Sequence, residues 1–173
     1  TPGGRAMLFG GLQGTDTNLY RLDVASGSVT QVTRVQGTLS PESFSRDRAR
    51  IAYTLQDLDT PPDVWAGEAD GTSGRKLTDA NPWVEKDLAL GRGEVVRRKS
   101  ADGLEIEGIL ILPGEAQQGP RPLLLHIHGG PAGVFANRFS SSYHVWAGLG
   151  YAQLLPNVRG SSGYTDELLQ GNT

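Results

Sequence analysis

The run Leu123-Leu124-Leu125-His126-Ile127-His128 leads straight into Gly129-Gly130-Pro131, and this stretch constrains the chain more than any other. An unbroken apolar run closed by a turn predicts a strand buried on both faces, as in a parallel sheet covered by helices. The two glycines let the backbone turn sharply at the strand's C-terminal end and come close to a bound group. In open α/β sheets, ligands sit at that end.

The following residues supply a crossover. Phe139, Tyr143, Trp146 and Leu149 recur at helical spacing and predict one apolar stripe, with Gly150 as terminator. Tyr151-Ala152-Gln153-Leu154-Leu155 reads as the next buried strand, stopped by Pro156. Strand, helix, strand implies parallel pairing and a right-handed connection. Asn157-Val158-Arg159-Gly160-Ser161-Ser162-Gly163-Tyr164 then forms a second glycine-rich loop at the same sheet edge. Upstream, Glu94–Lys99 and Leu104–Leu112 bracket Ala101-Asp102-Gly103, a strong hairpin signal. Leu104, Ile106, Leu110 and Leu112 share one face of that hairpin by the period of two. Pro113 to Pro122 reads as a surface loop, and Val84 to Gly93 as a connector that follows Asn81-Pro82-Trp83.

The first half repeats. Asn18-Leu19-Tyr20-Arg21-Leu22-Asp23, Ser26-Gly27 and Gln31-Val32-Thr33 match Asp63-Val64-Trp65-Ala66-Gly67-Glu68, Asp70-Gly71 and Lys76-Leu77-Thr78 at an offset of 45 residues. Each copy reads as strand, glycine turn, strand, preceded by a further strand at Arg5–Phe9 or Ile51–Tyr53. Short strands repeating at roughly 40–50 residues mark a β-propeller, of which about one and a half blades are present. An independent antiparallel sheet is the other reading.

His-Gly-Gly-Pro after an apolar strand (His128–Pro131) is similar to the oxyanion loop of α/β-hydrolase peptidases of the prolyl oligopeptidase family, in its acylaminoacyl-peptidase branch. The octapeptide Asn157–Tyr164 resembles a second motif of that family. The resemblance implies a mixed fold, with residues 1–83 the end of an all-β propeller and 84–173 the start of an α/β-hydrolase domain. It implies a serine peptidase that hydrolyses short peptides, N-acylated ones among them, through an acyl-enzyme, with the propeller restricting access. The backbone N–H of Gly130 would then be an oxyanion donor, with Gly129 letting the loop approach. A Gly-x-Ser-x-Gly nucleophile elbow is absent from the sequence. In this fold Ser, Asp and His follow the oxyanion loop in that order. The stretch ending at Thr173 is therefore expected to be inactive alone. Its partners would be the peptide substrate and the remainder of the polypeptide, in the same chain or a second one, with oligomerisation left open.

Other side chains have plainer readings. Arg159 stands at the ligand-binding edge, where a guanidinium can hold a substrate carboxylate bidentately, or can fix its own loop through an ion pair. His126 reads as a hydrogen-bonded residue of a buried strand, His128 as a brace for the loop, and His144 as a helix-surface residue. No third ligand is spaced to join His126 and His128 on a metal. Asp57, Asp59 and Asp63 do not follow a calcium-loop spacing and read as a solvated inter-strand loop. No cofactor or metal is expected. The net charge of -3 and pI near 5.6 give no basic footprint for nucleic acid. No apolar run approaches the ~18 residues of a membrane span. Cysteine is absent, which excludes disulfides within these residues and fits a reducing compartment. Thr1-Pro2-Gly3-Gly4 has no signal-peptide features, so the chain is expected to begin within a longer protein, and a cytoplasmic setting is the expectation. Two other functions fit less well: a non-catalytic propeller module with a vestigial hydrolase half, and a carboxylester hydrolase, whose loop carries a third glycine where Pro131 stands.

Overall fold

The repeat in the first half extends to single hydrogen bonds. The computed structural model describes residues 2–114, 119–130 and 132–171. Strands β1 (Ala6–Gln13), β2 (Asp16–Asp23) and β3 (Val29–Gln31) form one antiparallel meander. Strands β4 (Thr38–Phe44), β5 (Arg50–Gln56), β6 (Asp63–Glu68) and β7 (Arg75–Lys76) form a second. Arg21 pairs with Thr30 in the first, and the residues 45 positions later, Ala66 and Arg75, pair in the second. Phe9 stacks on Tyr20 and Tyr53 on Trp65.

Each meander is closed by a short polar side chain. Asn18 Oδ1 accepts from Thr33 Oγ1 at 2.9 Å and from the Val35 N–H at 2.8 Å. Asp63 Oδ1 accepts from Thr78 Oγ1 at 2.6 Å and from the Ala80 N–H at 2.9 Å. Asn18 and Asp63 are 4% and 6% exposed, so they satisfy returning backbone that water cannot reach. Asp63 therefore opens β6 and does not belong to the solvated loop assigned to it from sequence. The two meanders meet at one parallel bridge, Thr17 to Thr38, over a core of Leu19, Leu39, Ile51 and Tyr53.

The second half begins with α1 (Pro82–Asp87), where the sequence reads as a connector. Proline suits a first turn because the N–H it lacks would have no helical partner there. Then follow β8 (Arg92–Lys99), β9 (Glu105–Leu112), β10 (Leu123–Leu125), α2 (Ser141–Gly148), β11 (Ala152–Asn157) and α3 (Asp166–Gln170). The sheet order is β10-β11-β9-β8. β10 and β11 are parallel across the α2 crossover, and the β8–β9 hairpin turns at Ala101-Asp102-Gly103 as expected. Residues Glu115–Gln118 of the expected 113–122 surface loop lie outside the described residues.

Three expectations need correction. β10 is not buried on both faces: Leu123, Leu125 and Ile127 are 55%, 57% and 76% exposed, because nothing covers that side of the edge strand among the described residues. α2 turns His144 and Ala147 inward and leaves Trp146 and Leu149 exposed, so the expected stripe is not the buried face. Ile106, Leu110 and Leu112 do share one face of β9, the half-buried one, while Ile109 and Ile111 face the core. Pro156 continues its strand opposite Gly108, where a Cβ would come within 2.8 Å of the Leu155 carbonyl oxygen and Pro156 Cα.

Leu58 joins the halves. It leaves the first sheet through the β5–β6 loop and enters the second core, beside Ile109, Ile111, Ala147 and Leu155. Gly93 leaves room for it, since a Cβ there would meet the Leu58 side chain at 2.6 Å. The Leu58 N–H donates to Asn137 Oδ1 at 3.1 Å, and its carbonyl accepts from His144 Nε2 at 2.9 Å. His144 is thus a buried joint residue rather than a helix-surface one; the backbone of Leu58 could not be buried without such partners.

Candidate active-site loops

The two glycine-rich loops found in the sequence meet at the C-terminal edge of β10 and β11. His126 continues the ladder by donating its N–H to the Leu154 carbonyl, but it is half-buried and lies beyond the strand. Gln153 donates Nε2 to the Tyr143 carbonyl at 2.7 Å, which leaves Oε1 to accept from His126 Nε2 at 3.2 Å. Gly129 and Gly130 are exposed, and Gly130 holds φ +135°, a conformation open to glycine and strained for other residues. Pro131 lies outside the described residues. Gly133 closes the turn: a Cβ there would collide with the Gly129 carbonyl and sit 2.8 Å from His128 Nδ1.

The second loop grips the first at three places. His128 Nε2 meets Ser161 Oγ at 2.8 Å, the Ser162 N–H donates to the Gly133 carbonyl at 3.2 Å, and Asn157 binds both backbone groups of Phe135. The Gly129 carbonyl, 3.3 Å from His128 Nδ1, can only accept, so the ring carries its proton on Nδ1 and Nε2 accepts from Ser161. That is the hydrogen-bond pattern of a base with a nucleophile. Ser161 is, however, 0% exposed, so no substrate carbonyl reaches it. His128 braces the loop, as the sequence reading holds.

Arg159 turns to the β8–β9 hairpin, where Nη2 pairs with Asp102 Oδ2. Behind the second loop stands a buried polar chain that sequence reasoning missed. Asn157 Nδ2 donates to the Tyr164 hydroxyl at 2.9 Å, and that hydroxyl donates to Glu107 Oε1 at 2.9 Å. Glu107 Oε2 accepts from Arg97 Nε at 2.8 Å and Nη2 at 2.7 Å. Burial holds the Tyr164 phenol well above its ordinary pKa, so it remains a donor throughout the neutral range. The available signal was Glu107 itself, a carboxylate that shares one strand face with the apolar Ile109 and Ile111.

A cleft of about 1100 Å³ opens between the two halves beside this chain, lined by Asp16, Arg34, Asn137, Arg97, Glu107 and Tyr164 among others. Among the described residues no group of His, Asp or Glu is placed to hold a metal, and no helix is long and apolar enough to cross a membrane.

No family model matches the chain. Individual proteins do match it nearly end to end. The uncharacterized peptidase YuxL of Bacillus subtilis is 27% identical over 160 residues, covering 90% of this chain and 24% of that protein. Acylamino-acid-releasing enzyme 1 of Oryza sativa subsp. japonica is 23% identical over 96% of this chain and 24% of its own length. The solved acylaminoacyl peptidase of Pyrococcus horikoshii superposes with a TM-score of 0.78 at 24% identity, over 96% of this chain and 25% of that one. The chain has its homologues in the prolyl oligopeptidase family. It spans about a quarter of the length of these relatives.

Proposed function

We propose that the chain forms the oxyanion-stabilising part of a serine peptidase that cleaves short peptides, N-acylated ones among them, through an acyl-enzyme. One observation carries this reading. Gly130 holds a glycine-only conformation at the C-terminal edge of a parallel strand pair, in an exposed turn that a second loop grips at His128, Gly133 and Phe135. Acyl transfer needs such a fixed backbone N–H where negative charge develops on the substrate oxygen.

In this reading the two meanders of residues 1–83 are blades of a propeller, and 84–173 open an α/β-hydrolase domain. The cleft between them receives the peptide. Arg159, paired with Asp102, steadies the second loop rather than binding the substrate carboxylate. The nucleophile, acid and base come from the remainder of the polypeptide, in the same chain or a second one. The uncovered apolar side chains Leu123, Leu125, Ile127, Trp146 and Leu149 form the surface on which that remainder packs. Without it these residues cleave nothing. The lack of cysteine fits a cytoplasmic enzyme.

The test is made on the full-length polypeptide with a fluorophosphonate probe and N-acetyl-alanine p-nitroanilide. Gly130→Ala would strain the turn and displace its N–H, so kcat should fall by about 10²–10³. An unchanged kcat, or no serine labelled in the native protein, would overturn the reading.

A further inference from the structure

Glu107 lies outside both glycine loops, on β9, yet its carboxylate is the end of a hydrogen-bond chain that reaches the first loop. Every proton in that chain has one direction. The Phe135 N–H donates to Asn157 Oδ1 at 2.7 Å, while Asn157 Nδ2 donates to the Phe135 carbonyl at 3.0 Å and to the Tyr164 hydroxyl. Tyr164 spends its one proton on Glu107, and the other carboxylate oxygen takes two N–H groups of Arg97. Glu107 is 7% exposed and Asn157 0%. A well-packed apolar core would stabilise such a site at least as well as a buried polar chain does. The chain offers definite geometry instead. Asn157 fixes both backbone groups of Phe135, whose ring meets the His128 ring in a T-shaped contact at a centroid distance of 5.2 Å. His128 and Phe135 flank Gly129 and Gly130. The β1–β2 turn closes over the same carboxylate, since a Cβ on Gly14 would lie 2.7 Å from Glu107 Oε1.

We propose that Glu107 is a positioning residue for the loop that bears Gly130, acting through Tyr164 and Asn157 and oriented by Arg97. The proposal rests on the oxyanion reading given above. Glu107 borders the cleft but is 7% exposed, and its proposed role is to set where the Gly130 N–H points when the reacting carbonyl arrives.

Tyr164→Phe removes the hydroxyl that links the two ends of the chain, and Glu107→Gln keeps the volume while weakening its hydrogen bonds to Tyr164 and Arg97. Both are measured in the full-length polypeptide with N-acetyl-alanine p-nitroanilide, with active sites counted by fluorophosphonate titration. Each should lower kcat per titrated site roughly ten- to hundredfold, the scale of a small misplacement of a reacting group. KM should stay within about twofold, since Glu107 is 7% exposed and acts through the loop. The double variant should be no worse than the weaker single, because both cut one chain. If Gly130→Ala lowers kcat but both chain variants keep it within about twofold, the positioning role is wrong and the oxyanion reading stands. If Gly130→Ala has no effect, both are wrong. If a chain variant loses only titratable sites and melting temperature, with normal kcat per site, Glu107 is merely structural and the proposal fails.

Discussion

Asp63 and Asn18 occupy equivalent places, so the chain contains its own control for what a buried acceptor is worth. Asp63→Ala would strip the acceptor from Thr78 Oγ1 and the Ala80 N–H and leave Lys76 Nζ, now 2.8 Å from Asp63 Oδ2, without its nearer partner. Stranding those two internal donors costs about 1–2 kcal/mol each, in addition to the loss of the partly exposed Lys76 pairing. Asp63→Asn keeps Oδ1, the atom that takes both internal donors, just as Asn18 takes those from Thr33 and Val35. It loses only the pairing to Lys76, whose side chain is 40% exposed and also lies 3.5 Å from Asp79. Screening limits that loss to about 1 kcal/mol. The two substitutions should therefore differ by about 2–4 kcal/mol in urea unfolding, read from midpoints at unchanged slope. The pH dependence has a definite sign. Burial pushes the Asp63 carboxyl up, and the bonds from Lys76, Thr78 and Ala80 outweigh it, leaving the group below its ordinary 3.8. A depressed folded value gives stability that is fully present above about pH 4 and is lost as the pH falls through the folded pKa. The advantage of wild type over Asp63→Asn should vanish in that acid range. If Asp63→Asn proved as damaging as Asp63→Ala at pH 7, the ion pair and not the acceptor would hold the meander closed.

Three further expectations follow from close packing and from the surface. Leu58→Ala should destabilise by about 2–5 kcal/mol, because it empties a shared core site whose backbone stays pinned by Asn137 and His144; calorimetry on the full-length polypeptide would show it. Gly108→Ala should lose about 1–3 kcal/mol in the same assay, since the new Cβ meets backbone of β11 at 2.8 Å. A double-mutant cycle on Arg159 and Asp102 should give a coupling below about 1 kcal/mol, as both side chains are 36% and 61% exposed. A larger coupling would mean that the hairpin holds the second loop far more firmly than surface exposure permits.

The parts of the fold legible in the sequence are those fixed by local chemistry. Turn glycines and alternating strands place the hairpins, and the 45-residue repeat is written in matching residues, so its register holds in the structure. Which face an element buries was not legible, because it depends on what arrives from elsewhere. Trp146 and Leu149 are as apolar as a core needs, but α2 meets the sheet through His144 and Ala147, next to Leu58 from a loop 86 positions before His144. The two glycine loops stood out as motifs and do meet. Their support did not stand out: Tyr164 and Glu107 are 57 residues apart, and only folding brings a tyrosine hydroxyl to a strand carboxylate.

The grip of the second loop on the first has an order in time. The supports for His128, Gly133 and Phe135 are Ser161, Ser162 and Asn157, and all of them lie later in the chain. A ribosome delivers Gly129 and Gly130 well before the residues that shape their turn. In a nascent chain the loop therefore takes its form only once Asn157, Ser161 and Ser162 have followed.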